Sequence, residues 1–153
     1  MSEPFIFIGT HRLQEGKIAE FEESFADLVR VVEENEPRMI AFNGYANEEG
    51  TEVAVVQVHP DTDSMQHHMQ VVRQHITDAY ASLLEETTSI QVFGHLSEAA
   101  REMMQQLAGS GVPLIVKPVP VGGFTAPTRA DRYAPSTSHS PAITEARSLF
   151  SAP

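Results

Sequence analysis

A ferredoxin-like α+β fold, with elements in the order β-α-β-β-α-β and a helix and an extended arm appended, is what this 153-residue sequence predicts. Three observations point there. Short runs rich in β-branched and aromatic residues alternate with two long stretches of helical periodicity. Two of the short runs are joined by a tight turn, as in a hairpin. Every strand segment is apolar at both parities, so the sheet would be greasy on both faces.

The first strand is FIFIGT, residues 5–10. From residue 16 to 35 the apolar residues Ile18, Phe21, Phe25, Leu28 and Val32 recur at intervals of three and four, with Glu20, Glu22, Glu23, Glu33 and Glu34 between them. This spacing predicts an amphipathic helix whose stripe is core. Pro37 ends it by withdrawing a donor and restricting Glu36 to extended backbone. Residues 39–47 (MIAFNGYAN) and 52–59 (EVAVVQVH) read as a hairpin, with Gly50 supplying the permissive backbone of the turn. Asp61 or Asp63 caps a second helix that runs, with a break allowed for, to about residue 86. TTSIQVFGH, residues 87–95, is the fourth strand, and Ser97 offers the N-cap of a third helix through Met103, Met104 and Leu107 that stops at GSG, residues 109–111.

Beyond that point the composition shifts. VPLIVKPVPVGGF, residues 112–124, is apolar and extended, but Pro113, Pro118 and Pro120 forbid a central strand. An arm along a sheet edge or across a partner fits it. From residue 125 onward Ser, Thr, Pro and Ala dominate, the composition of a flexible tail. Within it AITEARSLF, residues 142–150, puts Ile143, Ala146, Leu149 and Phe150 on one helical face, either as a docking peptide or as a chance apolar cluster. The expected organisation is a body over residues 1–108, an arm over 109–124 and a tail over 125–153, the last too short to bury a core alone.

Ten Lys and Arg against twenty-one Asp and Glu give a formal charge of −11. The body carries nearly all of the excess, six basic residues against nineteen acidic ones up to residue 108. An acidic body repels phosphate backbones, which argues against a nucleic-acid partner. The absence of cysteine removes disulfides, thiolate metal sites and a Cys nucleophile. No segment approaches the roughly 18 apolar residues of a membrane span, and MSEPFIFIGTHR lacks the pattern of a signal peptide. The expectation is a soluble, cytoplasmic protein with no membrane partner. None of the GxGxxG, GxxxxGK[ST] or GxSxG patterns occurs. A sheet apolar on both faces with helices on only one needs a cover for the other, most simply a second copy in a homodimer.

The chemistry concentrates in MQHHMQVVRQHITDAYASLL, residues 65–84, where His68 and His75 fall on the stripe that faces the core. Seven residues separate them, so they point within about 20° of each other but lie about 10 Å apart along the axis. That is too far for two ligands of one metal, and neither HxxxH nor HExxH occurs, so no metal is expected. Two readings remain: buried neutral imidazoles with hydrogen-bond partners, or walls of a cavity between helix and sheet. In the strands, Asn43 with Tyr45, Gln57 with His59, and Gln91 with Phe93 and His95 each share a face. If those faces turn to the helices, Asn43, Tyr45, Gln57, Gln91 and Phe93 join His68 and His75 around a pocket. If they turn away, they are interface groups. His11 is expected at the surface end of the first strand and His67 in solvent.

The element order, the hairpin ending VVQVHPD and the helix opening DxxSMxxHMxxVxxHI resemble the antibiotic-biosynthesis-monooxygenase-like branch of the dimeric α+β barrel superfamily, over residues 4–96. The resemblance implies a homodimer and a cofactor-independent monooxygenase that oxidises a small aromatic or quinol-type compound with O₂, needing neither flavin nor metal. It places His68 as the catalytic base and polar strand residues such as Asn43 in the substrate cavity. A histidine of ordinary pKa suits deprotonation of a phenol, and Asn43, Gln57 or Tyr45 suits holding the oxyanion. The chain departs from the branch in lacking Trp, which the quinol-oxidising and haem-degrading members carry in the cavity. The alternative reading is a non-catalytic small-molecule-binding or assembly protein of the same fold.

Overall fold

The computed structural model describes residues 3–133; the segment 142–150 lies outside the described residues. The elements are β1 (Phe5–Leu13), α1 (Ile18–Asn35), β2 (Ala41–Ala46), β3 (Glu52–His59), α2 (Thr62–Ser82), β4 (Leu84–Phe93), α3 (Glu98–Ala108), β5 (Leu114–Lys117) and α4 (Arg129–Tyr133). They form one five-stranded sheet in the order β2-β3-β1-β4-β5. All neighbours are antiparallel except β4 and β5. The α+β arrangement expected from the sequence is the one observed, and no described helix is long and apolar enough to cross a membrane.

The helix starts follow their caps. The Asp61 side chain accepts from the Ser64 amide at 2.9 Å, and Ser97 Oγ accepts from the Ala100 amide at 3.2 Å. The boundary between α2 and β4 differs most from the expected one. α2 is continuous and stops at Ser82, and β4 begins at Leu84 rather than residue 87. The reason lies in β1, which runs on to Leu13 and pairs His11, Arg12 and Leu13 with Thr87, Glu86 and Leu84 across two register shifts. Leu13 and Leu84 are buried together with Val53, so packing extends both strands past the end of the clear β pattern. The arm behaves as its prolines require. Only four residues between Pro113 and Pro118 pair, at the edge, and they pair in parallel because α3 supplies the crossover.

The expectation of a flexible tail from residue 125 needs correction at its start. Thr128 is buried, and residues 129–133 form α4 against the end of α1. A capping box holds the turn: Thr128 Oγ1 accepts from the Asp131 amide at 3.1 Å, and Asp131 Oδ2 accepts from the Thr128 amide at 2.9 Å. Ala130 then donates to the Pro37 carbonyl at 3.2 Å.

The sheet has one covered face. Phe5, Phe7, Gly9, Val53, Val55, Gln57 and His59 alternate toward the helices, with Phe42 and Gly44 from β2 and Ile90 and Val92 from β4 beside them. At one end Phe5, Ile90 and Val92 pack with Met65, Leu96, Ala100 and Met104. At the other, Val32, Met39 and Val72 form a second cluster. The opposite face carries Ile6, Ile8, Val56 and Val58, all half-buried, and no described element lies across it.

Candidate functional site

A cavity of about 100 Å³ lies between the covered face of the sheet and helices α1 and α2. Two glycines of the sheet seat side chains of its wall. A Cβ on Gly44 would stand 2.9 Å from the Phe25 ring, and one on Gly9 would stand 3.0 Å from His11 Nε2 and 3.1 Å from the Phe7 ring. The α1 stripe does not close fully over the sheet. Val32 alone on that helix is fully buried, while Phe21, Phe25 and Leu28 are half-buried and line the cavity. Phe7, Phe42 and Val55 complete apolar walls in which Phe25 lies 5.1 Å from Phe42 and stacks on Phe21 at 5.7 Å.

His68 and Gln57 sit together at one end. His68 projects from α2 and is 1% exposed; its Nδ1 donates to Glu36 Oε2 at 2.9 Å, with Oε1 at 3.1 Å. Glu36, 2% exposed, stands just after the end of α1, where Pro37 breaks the helix and turns the carboxyl inward. The Phe42 and His59 rings meet the imidazole edge-on at 5.3 and 5.4 Å. No buried side-chain nitrogen or oxygen among the described residues lacks a hydrogen-bond partner. Nε2 of His68 makes no hydrogen bond among the described residues and is therefore not fully enclosed; with His68 on the cavity lining, it is the atom through which the ring reaches the cavity. A neutral imidazole with its proton on Nδ1 presents a lone pair there.

A second chain of contacts orients Gln57. His59 is fully buried, with Nδ1 3.0 Å from Ser64 Oγ and Nε2 3.2 Å from Gln57 Oε1. Burial, reinforced by the nearby His68 and opposed by Asp61, lowers the His59 pKa from 6.5 to about 3, so the ring carries one proton. With Oε1 of Gln57 facing Nε2, that proton sits on Nε2, and Nδ1 accepts from the Ser64 hydroxyl. The carbonyl of Gln57 is thereby occupied, and its amide NH₂ is left to the cavity as a donor.

At the other end of the cavity lies His11, buried and 2.9 Å from Thr87 Oγ1 through Nδ1. Its pKa falls to about 4 by burial. The expectation of a surface His11 fails because β1 extends past it with the inward parity. His75 lines the same cavity, half-buried, beside Ile76. His67 is exposed, as expected, and bonds the Asn35 carbonyl at 3.1 Å.

Of the strand residues expected around the pocket, only Gln57 is there. Phe42 pairs with Gln57 and Val92 with Phe7, so adjacent strands carry their inward residues at opposite parities. Asn43, Tyr45, Gln91 and Phe93 therefore point to the opposite face, with Tyr45 62% exposed. Glu36 is the functional group the sequence reading missed. Its only signal is a carboxylate placed directly before a helix-ending proline.

The depressed histidines set a pH window. The unfolded chain protonates both near 6.5, whereas the folded chain resists until about 4 at His11 and about 3 at His59. Below 6.5 the unfolded state binds more protons, so stability falls as pH drops toward about 4. A loss on the order of 2–3 kcal/mol per site is expected by pH 4. Urea unfolding at stepped pH measures it, and His11→Gln is expected to flatten its share of the slope.

No protein-family model and no curated protein sequence matches the chain. Solved structures do. MupZ from Pseudomonas fluorescens superposes with a TM-score of 0.61 at 13% identity, over 82% of this chain and 97% of that one. A Caulobacter crescentus protein named as a candidate antibiotic biosynthesis monooxygenase gives 0.54 at 20% identity, over 63% and 92%. One so named from Bacteroides thetaiotaomicron gives 0.50 at 10% identity, over 56% and 83%. At these identities the likeness is one of fold. With MupZ it covers more of this chain than the body alone, reaching into the segment beyond α3.

Proposed function

Given that the chain has the antibiotic-biosynthesis-monooxygenase-like fold, we propose that it is a cofactor-independent monooxygenase acting, as a homodimer, on a small aromatic molecule of the phenol or hydroquinone kind. The observation that carries this reading is the pairing of a histidine lone pair, locked by Glu36, with the Gln57 amide donor at one end of a mostly apolar cavity. His68 Nε2 takes the phenolic proton while the Gln57 NH₂ donates to the oxygen as it becomes anionic. The electron-rich ring then reduces O₂. One oxygen atom replaces a ring hydrogen and ends as a quinone carbonyl; the other leaves as water with that hydrogen and the phenolic proton. Glu36 is a positioning residue, fixing the tautomer that leaves Nε2 unprotonated.

Volume narrows the substrate class. A cavity of roughly 150 Å³ accommodates benzene, so about 100 Å³ favours a single ring partly exposed at the mouth over a fused polycycle. The uncovered sheet face, centred on Ile8 and Val56, is assigned to the second copy.

Oxygen uptake by chelator-treated protein with a panel of monocyclic phenols and hydroquinones tests the proposal. Expected is one O₂ consumed per quinone formed, with one labelled oxygen retained from ¹⁸O₂ and turnover lost in His68→Gln. Tight binding of the same compounds without oxygen uptake would overturn it in favour of a binding protein.

A further inference from the structure

We propose that Arg129, far along the chain in α4, is a positioning residue for the site: it holds the end of α1 so that the Glu36 carboxyl stays against His68. The inference rests on His68 being the proton acceptor. α1 reaches its C-terminus without a basic residue in its last turn and without a glycine cap. Its last carbonyls take donors from outside the helix, Asn35 from His67 and Glu36 from the Met39 amide at 3.1 Å, and the negative end of the helix dipole favours a cation there. Arg129 supplies further donors and the cation. Its Nη2 donates to the Glu33 carbonyl at 3.2 Å and to the Glu36 carbonyl at 3.3 Å, and its Nη1 lies 3.4 Å from the Glu33 carboxylate.

The grip is doubled and fixed. Ala130 donates to the Pro37 carbonyl at 3.2 Å, so consecutive carbonyls at the turn are held by consecutive residues of the C-terminal segment. The Thr128–Asp131 capping box sets that segment's backbone, with Thr128 Oγ1 also donating to Asp131 Oδ2 at 2.8 Å. At Glu36 the main-chain carbonyl is held on the outside by Arg129, while the side chain reaches the buried imidazole. Releasing the outer hold lets the last turn of α1 fray, and the carboxyl moves with it. A shift of about 1 Å in a catalytic constellation is enough to cost up to a hundredfold in rate.

Full-length Arg129→Ala and Arg129→Lys proteins test this with two readouts. In the oxygen-uptake assay Arg129→Ala is expected to lower kcat about tenfold while KM stays within about twofold; Arg129→Lys, still cationic, should restore part of it. Independently of any activity, ¹⁵N NMR should show the His68 Nδ1 proton slowed in exchange in the parent and exchanging fast in Arg129→Ala. Should Arg129→Ala fail to fold, Arg129→Met, which keeps the apolar stem and removes the donors, should show the same loss. An unchanged Nδ1 signal in the folded variants would overturn the proposal. If no compound supports oxygen uptake but the Nδ1 signal responds, the oxygenase reading fails while the positioning role stands.

Discussion

His68→Ala is expected to abolish turnover and to lower stability by about 3 kcal/mol. Two losses combine. The imidazole is 1% exposed, so its removal widens the cavity inside a packed interior. It also strips the partner from Glu36, whose carboxyl is 2% exposed and hydrogen-bonded to no other side chain among the described residues. The second loss can be isolated. His68→Leu with Glu36→Leu removes both partners, and their coupling in a double-mutant cycle should be at least about 2 kcal/mol, so the double variant is far less damaged than the two singles added together. Glu36→Gln keeps an acceptor for Nδ1 and should cost about 1 kcal/mol in stability but much more in rate. Urea denaturation of the four proteins decides it. Additive effects within about 0.5 kcal/mol would mean that the contact is incidental.

Under the proposed homodimer, Val56→Arg is expected to convert the protein from a dimer to a monomer. Val56 sits in the middle of the uncovered face, between Ile8 on β1 and Asn43 on β2. On the same face Ile115 of β5, beyond Gln91 of β4, is 43% exposed, and the arm that follows exposes Val119, Val121 and Phe124, each at least 76%. Soluble monomers rarely leave a sheet face with this many aliphatic residues in water. Pairing it with a second copy would bury more than about 2,000 Å² in total, the range of obligate dimers. An arginine there is desolvated without a partner, which costs several kcal/mol. Light scattering at micromolar concentration reads the result directly: the parent should have twice the mass of the variant. A parent that is itself a stable, soluble monomer would sink the assignment.

The fold was legible because strands and helices differ in hydrophobic period and because Pro37, Gly50 and Gly109 punctuate them where the chain turns. The site was half legible. The α2 stripe carries His68 and His75 inward by helix geometry alone, and both line the cavity. The choice posed for His68, satisfied core group or cavity wall, dissolves because the two ring nitrogens take different parts. The strand residues failed for a reason local pattern does not contain. Which parity faces the helices depends on register, and register across β2 and β3 sets Phe42 against Gln57, turning Asn43 and Tyr45 outward. Glu36 was invisible for a related reason: its partner lies 32 residues away.

The arginine that completes α1 sits 96 residues beyond Glu33, the helix residue it holds. During synthesis the first helix therefore emerges with its final turn unfinished, and that turn is secured only when almost the whole described chain has left the ribosome. A nascent chain with the strands and both long helices already made would have the cavity in outline but not yet the hold on the carboxyl beside it. If the proposed role of Arg129 holds, the hold on the Glu36 carboxyl is among the latest contacts of the described residues to form.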